Sequence, residues 1–576
     1  EIFNASYGER LSRTDASVGL WWAESGWKIS PTRVMPNRAG RAMRITLAQN
    51  ETEAAQLVIK PQSALTGVRV ACGPLIGPDK KRLPDGSVEA LRVGYVNIVF
   101  PTDYTSAPGP WPDPLLPLDK PFDIAAGENQ PLWIRVKTPP DAAPGEYASD
   151  ITLTADGGYA VRVPLRVRVH GFALPDRMTC ATAFGFNANG PFRYQKCETP
   201  EQKRLVLDKY LRCLADHHLS PYDPAPLDPF VVKWPDIPEG AAPDPSALSV
   251  DIDWSDWDKA MEKAFHEYRF SFYRIPAQGM AKKRSDGRLE QPSLLGFGEE
   301  SPVYQTLFDQ YWRNVQEHLR EKGWLSYGYV YWFDEPESSH YPLVKKGFER
   351  LNQAAPDLIG MLTEQPEPEL FGGPKLWCPI SHAYEQEVAD RRREAGDRFW
   401  WYVCTGPKAP YATIFIDHPG SELRVWLWQT WQRNIEGVLV WQTTQWTSPL
   451  IYPDPKRPQN PYEDPMTWVS SGAAPGQLAY HGNGDGRLIY PPLAAVDGST
   501  TGPVLEGPVE SFRLEMLRDG IEDYEYLVIL KRLLEQKRAA LSPKQARAYE
   551  KLLHVPAAIT TSATEFTISP APIEER

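Results

Sequence analysis

The chain has 576 residues, too many for one hydrophobic core, so two or three domains are expected. Its 42% hydrophobic and 24% charged residues are the balance of a globular protein, which excludes a disordered or fibrous chain. A net charge of −12 with no basic run repels phosphate backbones and argues against nucleic-acid binding, and no apolar stretch approaches the ~20 residues of a membrane span.

Residues 1–175 read as all-β. Short alternating runs at 42–48, 55–60, 91–99, 132–137 and 159–169 are bounded by Gly, Pro, Asn or Asp, the pattern of a β-sandwich. The stretch 139–169 is a hairpin turning at Asp156-Gly157-Gly158. After 170–176 the pattern changes. Apolar strand-like runs appear at 179–186, 218–222, 270–275, 327–333, 358–362, 376–380, 399–403 and 437–441. Helix-like segments lie at 201–217, 254–267, 301–322, 342–354, 384–395 and 420–434. Thr199-Pro200 supplies a cap for the first helix. Eight strands mostly separated by helices predict a (β/α)8 TIM-like barrel over 176–500. An open doubly wound sheet would carry a Gly-rich turn after its first strand, and "NANGPF" does not fit one. The last part, 501–576, predicts a helical region packed on the barrel: a long helix at 511–537, a second at 543–554, and a Thr-rich tail. The fold class is therefore multidomain α/β.

Six cysteines, at 72, 180, 197, 213, 378 and 404, form no C-x-x-C pair, so no structural zinc site is expected. The start at Glu1 suits a mature exported form, secreted, periplasmic or on the cell surface; a cytoplasmic location stays open.

The sharpest chemical signal is "YGYVYWFDEPESSHYP" (327–342). An aromatic strand ends in Asp334-Glu335-Pro336, where a barrel carries its catalytic groups. Pro336 is expected to hold Glu335 extended. Two carboxylates beside aromatic rings suit glycoside cleavage, in which one acid protonates the leaving oxygen and another group stabilises charge at the anomeric carbon. The bland alternative is a loop carboxylate capping the next helix.

Most of the chain resembles glycoside hydrolase family 123, the bacterial β-N-acetylgalactosaminidases. The resemblance rests on "LAQNETEAAQLVIKP" (47–61), "WPDPLLPL" (111–118), "AGENQPLWIRVKTPPDAAPGEY" (126–147), "GYVYWFDEP" (328–336), "LRVWLWQTWQRNIEGVLVWQTTQW" (423–446), "NGDGRLIYP" (483–491) and "SFRLEMLRDGIEDYEYL" (511–527). It implies a glycan with a terminal N-acetylhexosamine as substrate and a substrate-assisted reaction through an oxazoline. Asp334 would orient the acetamido nitrogen. Glu335 would protonate the leaving oxygen and then activate water. No cofactor is implied, and a homodimer is allowed.

Candidate substrate-binding residues come from other strand ends: Asn187, Arg274, Gln278, His382, Tyr402, Trp441, Gln442 and Trp446. Each has a packing alternative; Trp446, just beyond a strand, is the strongest for sugar contact. In "RDGIEDYEYL" the acids Glu522, Asp523 and Glu525 read better as helix ion pairs with Arg513 or Arg518 at a domain interface than as catalysts. The motif "NGDGRLIYP" reads as a tight turn leading into an extended strand. Its lone Asp485 lacks the oxygens a calcium ion needs, so no metal is expected. The competing functions are a glycosidase for another sugar on the same scaffold and a glycan-binding protein without catalysis.

Overall fold

The computed structural model describes residues 6–11, 17–283, 288–447, 459–466, 469–471 and 478–576. The N-terminal part is two sheets. The five-stranded one contains Met43–Gln49, Gly145–Thr154 and Ala160–Ala173; the eight-stranded one is centred on Thr52–Pro61, Gln130–Lys137 and Val88–Ile98. Their facing side chains, among them Ile45, Leu47, Leu57, Ile134, Ile151 and Leu165, share one core. The expected hairpin pairs Gly145–Thr154 with Ala160–Ala173, and Gly157 and Gly158 turn the corner at φ of 80° and 88°.

The two sheets differ in pattern for a physical reason. Ala160–Ala173 alternates, with Val163, Leu165 and Val167 inside and Arg166 and Arg168 outside. Thr52–Pro61 is buried almost throughout, because its sheet is covered on both faces. On the far face the neighbouring Trp133 meets Phe512 of a C-terminal helix edge-on at 5.1 Å. Just before that helix, Glu510–Ser511 pairs with Gly109–Pro117 and joins the N-terminal sheet.

Seven parallel strands follow: Ala181–Phe184, Tyr273–Arg274, Gly328–Tyr331, Ile359–Leu362, Leu376–Trp377, Arg398–Tyr402 and Gly437–Val440. Gly437–Val440 pairs with both Arg398–Tyr402 and Ala181–Phe184, so the sheet curls back onto its first strand. Residues 218–222, expected as a further strand, make only an isolated bridge between Phe184 and Pro221 and a bond from Arg274 N to Tyr222 O. Pro221 has no N–H to continue a ladder. The result is a nearly closed, barrel-like seven-stranded sheet. Ala183, Tyr329, Met361, Leu376, Trp400 and Leu439 fill its interior.

The helices Pro200–Asp216, Ser255–His266, Pro302–Glu321, Tyr341–Ala354, Gln386–Glu394 and Glu422–Gln432 fall where the periodicity put them. Thr199 caps the first, exchanging bonds reciprocally with Gln202. The long helix Phe512–Lys537 is buried on every side from Phe512 to Glu522 and amphipathic beyond. Glu522 lies 3.6 Å from Arg518, as the sequence suggested, but Asp523 pairs with Arg424 at 2.7 Å, Glu525 lies 3.8 Å from Arg532, and Arg513 pairs with Asp113 of the N-terminal sheet at 2.9 Å. The expected strand after the 483–486 turn is absent; Arg487 and Tyr490 make only isolated bridges. The tail forms a bridge between Thr560 and Phe566 and a short helix, Ala571–Glu574. No helix among the described residues is long and apolar enough to cross a membrane.

Candidate active site

Parallel strands end together, so the next inward-facing residue on each strand after the core layer lines one mouth. Counting by two from Tyr329, Met361, Trp400 and Leu439 gives Tyr331, Thr363, Tyr402 and Trp441. Three of these four grip the carboxylate pair. Tyr331 donates its hydroxyl to Asp334 Oδ1 at 2.6 Å, and Thr363 donates to the same oxygen at 2.8 Å. The Glu335 backbone N–H donates to Thr363 Oγ1 at 3.0 Å. The Tyr402 hydroxyl donates to Glu335 Oε1. Asp334 and Glu335 are themselves exposed at the mouth.

Glu335 corrects one expectation. It is not extended but sits at φ of +43°, in the left-handed region. A non-glycine residue there costs roughly 1–3 kcal/mol and persists only where neighbours fix it. Here Thr363 holds its N–H and Tyr402 its carboxylate.

Burial, with Asp334 beside it, pushes the Tyr331 hydroxyl well above its usual range; burial and Glu335 do the same for Tyr402. Both phenols therefore remain donors. Glu364, next in sequence to Thr363, is a third carboxyl in this corner. Burial pushes it up to about 7, with Glu367 and Glu335 adding to the rise against an opposing backbone N–H.

A cavity of about 360 Å³ opens on the other side of the mouth, lined by Asn187, Tyr222, Asp223, Arg274, Trp441 and Gln442. Arg274 lies over the Tyr222 ring at 5.2 Å, and Tyr222 meets Tyr331 edge-on at 6.2 Å, so the cavity joins the carboxylates through packed aromatics. Gln442 turns its carbonyl onto its own loop, accepting from the N–H groups of Thr443 and Thr444. His382 is exposed and packs on Tyr411 at 6.0 Å. Gln278 is half-buried in the loop after its strand, and no described contact joins either residue to the pair. Trp446 departs from expectation. It is 2% exposed, donates to Ile489 O at 2.6 Å and packs edge-on against Tyr194, all marks of a core position.

Thr363, Tyr222 and Glu364 carried no motif in the sequence, and Tyr331, inside the 327–342 motif, was not singled out there; strand parity points to Thr363 and Tyr331. Cys213, His217 and Glu510 come within 4.8 Å of one another, the spacing of a metal site. Both His217 ring nitrogens are engaged, one with Cys213 O at 2.7 Å and one with Glu515 at 3.1 Å, which makes the cluster a tie between helices.

A family model described as the glycoside hydrolase 123 catalytic domain matches residues 257–530, and one described as the glycoside hydrolase 123 N-terminal domain matches residues 34–155. Among solved structures, a family 123 glycoside hydrolase from Clostridium perfringens, studied for glycolipid glycan hydrolysis, is 18% identical. The match covers 93% of this chain and 92% of that one at a TM-score of 0.64, a likeness of fold. Bacteroides uniformis β-glucuronidase 2 is 10% identical over 68% of this chain and 44% of its own, at a TM-score of 0.23 that carries no argument. No curated protein matches the chain.

Proposed function

The chain belongs to glycoside hydrolase family 123, and from that premise we propose that it is an exo-acting retaining enzyme releasing terminal β-linked N-acetylgalactosamine by substrate assistance. In this reading the strands and residues 220–222 together stand for a (β/α)8 barrel over 176–500, flanked by a sandwich at 1–175 and a helical region at 501–576.

The observation that carries the reading is the unequal treatment of two consecutive carboxylates. Asp334 has one oxygen taken by two hydroxyl donors, Tyr331 and Thr363. That fixes the group and leaves its other oxygen for an acetamido N–H. A pair in which the protein supplies the nucleophile flanks the bond from opposite sides at ~5 Å. Two acids from one strand end suit a reaction whose nucleophile is the substrate itself.

The acetamido oxygen attacks the anomeric carbon as the glycosidic bond breaks, and Glu335 gives its proton to the leaving oxygen. The oxazoline's nitrogen proton rests on Asp334. Water then attacks the same carbon and yields its proton to Glu335, while Asp334 returns its proton to the nitrogen and the acetamide reopens. Two inversions give retention. The sugar ring is placed against Trp441, with Asn187 and Arg274 across the cavity.

The test is p-nitrophenol release from the β-N-acetylgalactosaminide, the β-N-acetylglucosaminide and the plain β-galactoside by wild type and Glu335→Gln. Turnover of the first alone, falling ~10²–10⁴-fold in the variant, is expected. Comparable turnover of the plain galactoside would refute substrate assistance, since that sugar has no acetamide.

A further inference from the structure

The "NGDG" turn at 483–486 lies outside the barrel strands and has no part in the chemistry above, yet it is built tightly against one wall of the pocket. Asp485 is fully buried, and its Oδ1 accepts the indole N–H of Trp441 at 2.9 Å. Among the described residues no other side chain donates to that carboxylate. Gly486 takes φ of +64° with its Cα flush on the same ring: a Cβ there would stand 2.5 Å from Trp441 Cζ2. At the backbone, a Cβ on Gly185 would stand 1.7 Å from the Trp441 carbonyl oxygen. Ring and backbone of Trp441 are thus both held.

The turn is itself fixed from outside the barrel. Arg513 on the long helix donates to Gly484 O at 2.7 Å. The Asn483 side chain donates to Phe100 O at 2.9 Å and to Asp417 at 3.0 Å, tying in a loop of the N-terminal sheets.

We propose that Asp485 is a positioning residue that fixes the Trp441 ring as the wall of the sugar pocket, so that the turn sets substrate affinity without touching substrate. This rests on the reading of Trp441 as a sugar contact. A flat aromatic wall gives affinity only in one orientation, and an indole N–H bonded to a buried acceptor allows one. Burial pushes the Asp485 carboxyl up to about 6, so a buried acid is kept here at a cost.

The test uses the whole protein as wild type, Trp441→Phe, Asp485→Leu, the double variant and Asp485→Asn, assayed on p-nitrophenyl β-N-acetylgalactosaminide. KM is expected to rise about tenfold in Trp441→Phe and in Asp485→Leu with kcat nearly unchanged, the size of one lost charge-assisted hydrogen bond. The double variant should be no worse than either single one, and Asp485→Asn, which keeps an acceptor oxygen, should recover most of the loss. Additive effects would overturn the proposal, and an unchanged KM in Trp441→Phe would do so even where Asp485→Leu does not fold. A readout free of turnover is the indole N–H resonance that vanishes in Trp441→Phe: it should move in Asp485→Leu and on titration with N-acetylgalactosamine. A fixed resonance overturns the clamp, whereas a moving resonance in an enzyme silent on every glycoside refutes the proposed activity instead.

Discussion

Thr363 serves both residues at once: its hydroxyl donates to the carboxylate of Asp334 at Oδ1 and accepts from the Glu335 backbone N–H. It is 3% exposed. A valine there keeps the shape and removes both bonds. Thr363→Val is expected to lower kcat about tenfold, ~1.4 kcal/mol of transition-state stabilisation, while KM changes little. Steady-state kinetics checks this; an unchanged kcat would mean that Tyr331 and Tyr402 suffice to hold the pair. Residue-scale reading of the sequence singled out the acids as candidates, because Asp-Glu-Pro at an aromatic strand end is a local pattern. It singled out Tyr402 by strand-end reasoning, and the Tyr402 hydroxyl bonds Glu335. It misplaced Trp446, since whether an aromatic past a strand faces a pocket or the core depends on what packs above it.

The long helix shows how charge behaves once an element is buried. Arg518 is 1% exposed and pairs with Glu515 at 2.9 Å and Asp519 at 2.7 Å. Glu515 also accepts from Trp133 and Arg135 of the N-terminal sheet, and Asp523 accepts from Arg424 of the helix Glu422–Gln432. Charged residues that look like a solvated face are turned inward, joining sheet, barrel and helix. Removing one partner leaves ions without compensation in a dry interior. Arg518→Met is therefore expected to destabilise by about 3–5 kcal/mol, seen as a large fall in melting temperature or loss of folded protein. A melting curve superimposable on wild type would show that the network is energetically idle.

At the scale of the whole molecule, the N-terminal sheets also reach the barrel through an ion pair. His418 Nε2 lies 3.0 Å from Asp103, and its Nδ1 lies 3.2 Å from Glu422. Burial alone would lower the imidazole, but Glu422 and Asp103 hold it up at about 10, from an ordinary 6.5. A raised histidine contributes its full stability below pH 6.5 and loses it as pH rises through about 10. Wild type should therefore melt above His418→Gln by the widest margin near pH 6, with the gap closing toward pH 10. Glu53 and Glu522, pushed up by burial, also weaken the fold as pH rises, so the difference between the two proteins, not the wild-type curve, is the informative quantity. A gap independent of pH would remove the charge from the explanation.

What the sequence determined by itself is what short-range physics encodes. Period-two alternation marked strands of the N-terminal sheets. Period 3.6 placed the helices within a few residues. Proline and glycine marked the turns, and aromatic neighbours singled out the Asp334-Glu335 pair as a candidate. What only the tertiary structure decided is whatever depends on distant chain coming together. Glu335 takes a left-handed conformation because Thr363 and Tyr402, from two other strands, hold it there. Asp485 could look like a metal ligand in sequence, and folding turns it onto Trp441, 44 residues earlier in the chain. Each of these outcomes is set by burial and by partners outside any local window, and no local pattern carries that information.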